Sequence, residues 1–449
     1  MNELPTTLDE TYERTLQGIP KERRRHAHRL FRCLVAASRP LRVEELGEIF
    51  AIEFDEDSAP NLMEGWRPEN AEEAVLSACS TLISVVKKKR SKVVQFSHFS
   101  VREFLTSDRL LMSEDGSIRD YHIPLDGAHT ILARACLTVL LQLDEETDKN
   151  RLSRFPLAFY AARYWVDHAQ FGDVASQVED AIQQLFNPGK SHFAAWTWIY
   201  DVDRGRFRGS IHKLPKHHSL PNATLLYYAV KCGFSQLADY LIYIHGEDVN
   251  ARSRHGATPL YAASNMGQIE FARVLLDHGA NVDTTNQNEE TPLVAAYDNG
   301  HLDVMRLLID HGANVDVPSY SFGLLSHNAA FKGDLDVIRL LLQHNANVNA
   351  TSCRYNWTPL HCASSSGHAK VAEVLLEHGA NINARDVDNE TPLYRASING
   401  HLEVARLLLR HGADVRIRKK SGRSLFQGAI SHGRTDVAQL LLEHGAKEG

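Results

Sequence analysis

Cysteine is scarce in this 449-residue chain, with six residues at Cys33, Cys79, Cys136, Cys232, Cys353 and Cys362. No two of them form a Cys-x-x-Cys pair, so a zinc ribbon has no ligand set. Free thiols buried in a reducing compartment are the expected state. Long apolar runs are also missing. The longest, Leu132 to Leu143, is too short to span a bilayer and contains Arg134. The opening Met1-Asn2-Glu3-Leu4-Pro5 lacks the basic and apolar parts of a signal peptide. An intracellular protein is expected, in the cytoplasm, with the nucleus as the alternative. An excess of basic charge is absent as well. The formal charge is −7. From Ala223 onward there are 20 Lys and Arg against 24 Asp and Glu, and before it 29 against 32. Neither part favours general nucleic-acid binding.

Several catalytic signatures are missing too. The nearest candidate for a phosphate-binding Gly-x-x-x-x-Gly-Lys-Ser/Thr loop is Gly189-Lys190-Ser191. Five residues before Gly189 stands Gln184, and the preceding segment reads as an amphipathic helix where a strand is needed. No ATP binding is therefore expected in this chain. No Gly-x-Ser-x-Gly elbow occurs, so a serine hydrolase has no nucleophile turn. Histidine is plentiful, with 24 residues, 14 of them in the second half. His278, His311, His344, His378, His411 and His444 recur at equivalent places about one helix diameter or more apart, too far to share a zinc ion. His217-His218 has no acidic neighbour in sequence. Cys362 sits beside His361, but adjacent helical residues do not face each other. No enzyme, metal or cofactor is expected.

What the chain does have is a repeated phrase. Thr258-Pro259-Leu260 returns 33 residues later at Thr291-Pro292-Leu293, then at Thr358-Pro359-Leu360 and Thr391-Pro392-Leu393. Degenerate copies stand at Thr224-Leu225-Leu226, Leu324-Leu325-Ser326 and Ser424-Leu425-Phe426. Nine residues after each first position comes Gly233, Gly267, Gly300, Gly333, Gly367, Gly400 or Gly433. A His-Gly-Ala-Asn-Val phrase closes most copies. Thr caps a first helix and Pro occupies its first turn. The Gly permits a left-handed turn into a second helix, whose apolar stripe is Phe271, Val274, Leu275 and Leu276 in the second copy. Seven copies at a period of 33–34 residues resemble the ankyrin repeat closely. One copy cannot bury its apolar face alone, so neighbours must share a core. The fourth copy lacks the Thr-Pro start, and Asn345 replaces Gly at its second-helix cap. Leu324→Thr with Leu325→Pro is expected to stabilise it.

The first half reads differently. Thr7 and Glu10 make a capping box before Leu8, Tyr12 and Leu16. Pro20 opens a second helix with Ala27, Leu30, Phe31, Leu34 and Val35 on one face. Val43 to Ile52 and Ala71 to Ile83 read as further helices. Ser84-Val85-Val86 and Val93-Val94-Gln95-Phe96 flank a charged tip, Lys87 to Ser91, which is a hairpin pattern. Ser100 and Glu103 are expected to cap the next helix. Helices followed by one hairpin suggest a winged helix. Its candidate recognition helix begins Val43-Glu44-Glu45 and contains Glu48, a charge that repels DNA. The basic clusters Lys21 to Arg29 and Lys87 to Arg90 read as solvated faces, with phosphate contact or nuclear import as the alternative. Asp120 to Asn187 is helical, and Phe193 to Tyr200 is aromatic and buried.

The first half also resembles the region that follows the ATPase domain in fungal NACHT–ankyrin proteins, of the STAND class of NLR-like receptors. The residues are Leu4 to Tyr12, Phe96-Ser97-His98-Phe99-Ser100-Val101-Arg102-Glu103-Phe104-Leu105, Pro156 to Phe171 and Phe193 to Asp203. The resemblance implies a sensor that binds through its repeats, here beginning where the ATPase domain would have ended. The expected fold is mainly α, with a winged-helix-like domain at 1–118, a helical linker at 119–221 and an ankyrin-repeat α-solenoid with β-hairpin loops at 222–449. The seven repeats would start near 222, 256, 289, 322, 356, 389 and 422. The expected function is a scaffold, an adaptor or receptor-like sensor for a protein partner. The alternative is a nucleic-acid-associated regulator using the winged helix. Repeats of this kind usually bind through hairpin tips and first-helix ends. Those slots place the partner site at Tyr320, Phe331, Lys332, Arg354 and Tyr355, joined by Trp357 just before Thr358. The tips Arg254, Arg354 and Lys420 favour an acidic partner segment.

Overall fold

The computed structural model describes residues 8–447 apart from 55–59, 89–90, 114, 203–205, 208–213, 216–222, 320–322 and 353. Thr7, Tyr320, Cys353, the Lys89-Arg90 tip and the His217-His218 pair lie outside the described residues. Two compact units are present, Met1–Glu247 and Asp248–Gly449.

The first unit opens with a winged helix. Helix Leu8–Gln17 buries Tyr12 and Leu16. Helix Lys21–Ala36 buries Ala27, Leu30, Phe31 and Val35 of the expected face, while Leu34 is half-buried and Cys33 is buried beside them. A short strand, Leu41–Arg42, leads into helix Val43–Phe50, and helix Ala71–Cys79 packs against that. Strands Ile83–Lys88 and Ser91–Phe96 pair antiparallel, with Val85 opposite Val94, and Leu41–Arg42 adds a third strand beside Ser91–Phe96. His98, and not Ser100, caps the following helix, Phe99–Leu105. Its Nδ1 accepts the Ser100 N–H, while the Ser100 hydroxyl bonds Tyr12.

Two corrections concern the helices before the hairpin. The helix that immediately precedes the wing is Ala71–Cys79, so it, and not Val43–Phe50, takes the recognition position. Its first turn carries Glu72 and Glu73, and Glu72 pairs with Lys92 of the wing. Glu45 and Glu48 do not face solvent at all; both are buried. Glu45 receives Arg39 at 2.6 Å, Arg42 Nε at 2.8 Å and the Arg42 N–H at 2.7 Å. Burial would raise its carboxyl, but Arg39 and Arg42 outweigh that and hold it low. Glu48 accepts from Arg67 at 2.7 Å and from the Leu157 N–H at 2.6 Å, tying the winged helix to the helices after it. Burial pushes its carboxyl up to about 7.

Those helices include Leu125–Leu140, Ala158–Ala169, Glu179–Leu185 and His192–Ile199. Trp165, Trp196 and Trp198 are buried among them. The first repeat pair, Leu225–Cys232 and Ser235–Asp239 with its π-helical extension Tyr240–Ile244, packs on this layer. Gln170 donates to the Cys232 carbonyl at 2.6 Å and Trp165 stacks on Phe234.

Among the described residues the second unit holds six helix pairs. They begin at Pro259–Met266 and end at Thr435–Glu443. Thr258, Thr291, Thr358, Thr391 and Ser424 each accept the N–H three residues on, as the capping pattern requires. The turn glycine has a second duty. Gly333 has φ 83°, and a Cβ there would sit 2.5 Å from Nδ1 of His368, which packs across from the next repeat and donates to the Phe331 carbonyl at 3.0 Å. His401 covers Gly367 in the same way. Asn345 adopts φ 64°, the left-handed cap usually given to Gly.

A ladder of Asn and Asp side chains locks successive repeats together. Asn250 Oδ1 accepts the Asn281 N–H at 2.7 Å, Asp283 the Asn314 N–H, Asp316 the Asn347 N–H, Asn349 the Asn381 N–H and Asn383 the Asp414 N–H. No helix among the described residues is long and apolar enough to cross a membrane.

Candidate interaction surface

The hairpins between repeats present a row of tips. Adjacent tips bond through their backbones. Gln287 N–H donates to the His255 carbonyl, Val387 N–H to Tyr355 and Lys420 N–H to Asp388, at 2.9–3.1 Å. Left-handed residues turn several of these tips, among them Asn356 at φ 57° and Asn389 at φ 62°. Those three pairs of tips are therefore joined at the backbone and free to vary in their side chains.

The six positions expected to form one site divide in two, with Tyr320 outside the described residues. Arg354, Tyr355 and Trp357 come together. Arg354 lies over the Tyr355 ring at 5.1 Å, and the Tyr355 and Trp357 rings are 6.1 Å apart. Tyr355 is 46% exposed. Phe331 and Lys332 stand at the C-terminal end of helix Leu325–Lys332. Lys332 lies 4.6 Å over Tyr297 of the preceding repeat. Tyr297 in turn donates its hydroxyl to Asp334 at 2.7 Å.

Trp357 is held by residues that the spacing argument missed. Arg395 lies 4.5 Å over its ring, and its indole N–H donates to Asp386 at 3.1 Å. The Arg395 guanidinium bonds Asp386 at 2.7 Å and Glu390 at 2.8 Å. Lys419 reaches Glu390 at 3.5 Å. Burial alone would raise the Asp386 carboxyl, but Arg395 and the Glu390 and Asp388 N–H groups hold it below the usual range. Trp357 is thus a fixed wall beneath the exposed Tyr355. The one sequence signal for this was an Arg inside the sixth repeat's first helix with two acids just before its Thr cap.

His361 is fully engaged. Its Nε2–H donates to the Glu390 carbonyl at 3.1 Å, leaving Nδ1 to accept from Thr358. Burial lowers it to about 4. Burial pushes the Cys362 thiol up to about 12, away from the thiolate that nucleophilic chemistry needs. Among the described residues no cluster of three His, Cys, Asp or Glu is placed to hold a metal ion.

The repeat geometry agrees with family comparison. The sequence pattern of the ankyrin repeat family matches residues 214–320, 324–386 and 385–448, more than half of the chain. The chain belongs to the ankyrin-repeat proteins. This ankyrin-repeat protein also matches, over residues 12–116, the winged helix domain of GPI inositol-deacylase. It is 31% identical over 293 residues to the azaphilone pigments biosynthesis cluster protein L of Monascus ruber, covering 62% of this chain and 60% of that one. The chain thus spans less than two thirds of that relative's length. Among solved structures, the human ASB11 ankyrin repeat domain matches at 26% identity and a TM-score of 0.42, covering 50% of this chain and 99% of that one. The ankyrin repeat domain of Bcl-3, of the IkappaB family, matches at 24% identity and a TM-score of 0.45, covering 49% and 97%.

Proposed function

We propose that this chain is a non-catalytic adaptor or receptor-like sensor that binds a protein partner through its ankyrin repeats. The observation that carries the reading is Tyr355, an exposed aromatic on a backbone-bonded row of tips, seated beside a Trp357 that Arg395 and Asp386 hold in place. A rigid aromatic loses little entropy on binding and buries a large area, as binding hot spots do. The winged helix and the likeness to a fungal cluster protein support the narrower reading as a relative of NACHT–ankyrin sensors; action in the cytoplasm and without ATP belongs to the same proposal.

The test is a titration of a captured partner against the full chain and two variants. Tyr355→Ala and Phe331→Ala should each weaken binding by about 1 kcal/mol or more while leaving helicity and melting intact. Wild-type affinity in both variants would move the site elsewhere.

A further inference from the structure

The last hairpins concentrate basic charge in a protein whose net charge is −7. Arg354, Arg385, Arg416, Arg418, Lys420 and Arg423 are all exposed. Among the described residues, Arg354, Arg385, Arg416, Lys420 and Arg423 have no carboxylate partner within ion-pair distance. Two of the acids nearby are already used. Asp386 and Glu390 are buried against Arg395 and Lys419, which leaves Asp388 on the sixth repeat's tip and Asp414 before the last tip as exposed acids. An earlier hairpin carries the opposite sign, with Asp283 and Glu289 exposed. The last three tips thus form a continuous basic stretch, separated by that acidic hairpin from the exposed Arg252 and Arg254 of an earlier tip. Two apolar side chains interrupt it, Tyr355 at 46% and Val387 at 43% exposure, on tips joined by the Val387 N–H to Tyr355 carbonyl bond.

We propose that the tips of the last three repeats dock an extended acidic segment of a protein partner. This rests on the reading of the repeats as a protein-binding surface and names the partner's chemistry. Spacing sets the pattern. Two strand-like steps of about 4.8 Å separate equivalent points on neighbouring tips, an advance of about 10 Å. A peptide in the polyproline II form rises about 3.1 Å per residue with three residues per turn, so every third side chain returns to the same face and meets a tip. The segment carries Asp or Glu at that interval, opposite Arg354, Arg385 and Arg418 with Lys420. One aromatic or aliphatic residue lies between the first two acids, against Tyr355 and Val387. A nucleic-acid backbone fits less well, because its unbroken charge would meet Asp388 within the stretch and Asp283 and Glu289 beyond it.

The experiment uses the full chain and a fluorescein-labelled peptide of about ten residues, with Glu at every third position and one Phe after the first Glu. Anisotropy is followed up to about 1 mM protein. Saturable binding is expected, weakened at least about tenfold when every Glu is replaced by Gln or when salt is raised to roughly 0.5 M. Arg385→Glu with Lys420→Glu should weaken it about tenfold with unchanged melting, whereas Arg306→Glu with Arg339→Glu, on exposed second-helix positions, should not. Four results would overturn the proposal: no saturation, equal binding of the Gln peptide, equal loss in the control variant, or tighter binding of a single-stranded oligonucleotide of matched charge. A captured partner that still binds the Arg385→Glu, Lys420→Glu variant but loses affinity in Tyr355→Ala would sink this inference and leave the protein-binding function standing.

Discussion

Leu324→Thr and Leu325→Pro restore the repeat phrase on paper, yet the structure sets them apart. Leu324 occupies the N-cap with φ −81° and ψ 163° and supplies no side-chain acceptor. A Thr there gains a cap of about 1 kcal/mol. It gives up part of a half-buried Leu side chain, about 1 kcal/mol of apolar burial. The two offset, so Leu324→Thr should change stability by no more than about 0.5 kcal/mol. Leu325 is different. Its side chain is fully buried, and its N–H donates to the Val317 carbonyl at 2.9 Å, extending the pairing of Pro318–Ser319 with Gly323–Leu324. Proline deletes that bond, about 1 kcal/mol, and shortens a packed side chain, about 1 kcal/mol more. Leu325→Pro should therefore destabilise by about 2 kcal/mol, and the double variant by a similar amount, against the stabilisation that the repeat pattern alone leads one to expect. In urea, with a slope near 2 kcal/mol per molar, the midpoint should fall by about 1 M. The measurement is urea unfolding of the full chain followed by far-ultraviolet circular dichroism. A double variant with an equal or higher midpoint would refute the argument, because the strand pair would then contribute nothing that the Thr-Pro start does not.

Purified protein should show no saturable ATP binding at micromolar concentration; calorimetric binding would contradict the reading of Gly189-Lys190-Ser191 as a chance match. Gly333→Ala should cost about 2 kcal/mol, since it combines a left-handed backbone with the His368 ring, and pairing it with His368→Ala should recover part of that loss. Additive losses in that cycle would show that the ring does not press on the glycine. Burial lowers His28 and His361 to about 4 and His168 to about 3, so each stays neutral in the fold while its unfolded counterpart takes a proton near 6.5. Their contribution is full above pH 6.5 and is lost as pH falls, by about 1.4 kcal/mol per histidine at pH 5.5. The fall of the urea midpoint between pH 6.5 and 4.5 should be shallower in His361→Asn, and an unchanged slope would count against burial of the neutral form.

Helix starts and stops were readable from the chain because they are decided within one turn. A Thr that accepts the N–H three residues on needs only its own neighbours, and so does a Gly at positive φ. The 33-residue period followed for the same reason. The apolar stripes of Lys21–Ala36 and the β-branched runs of the wing were equally local, since periodicity alone selects the buried face.

Which partner a charge or ring finds was decided only in three dimensions. Glu45 and Glu48 read as exposed acids on a DNA-facing helix. They proved to be buried, because Arg39 and Arg67, both outside the helix, fold back onto them. Trp357 read as part of an open patch, but a pairing 38 positions away with Arg395 turned it into a wall. His368 read as one histidine among many until the fold laid it over a glycine of the repeat before. Capping and periodicity act over a few residues, where the chain itself fixes the distance. Ion pairs, ring contacts and the Asn and Asp ladder join residues roughly one repeat apart, and only the stacked backbone sets which of many possible partners lies within reach.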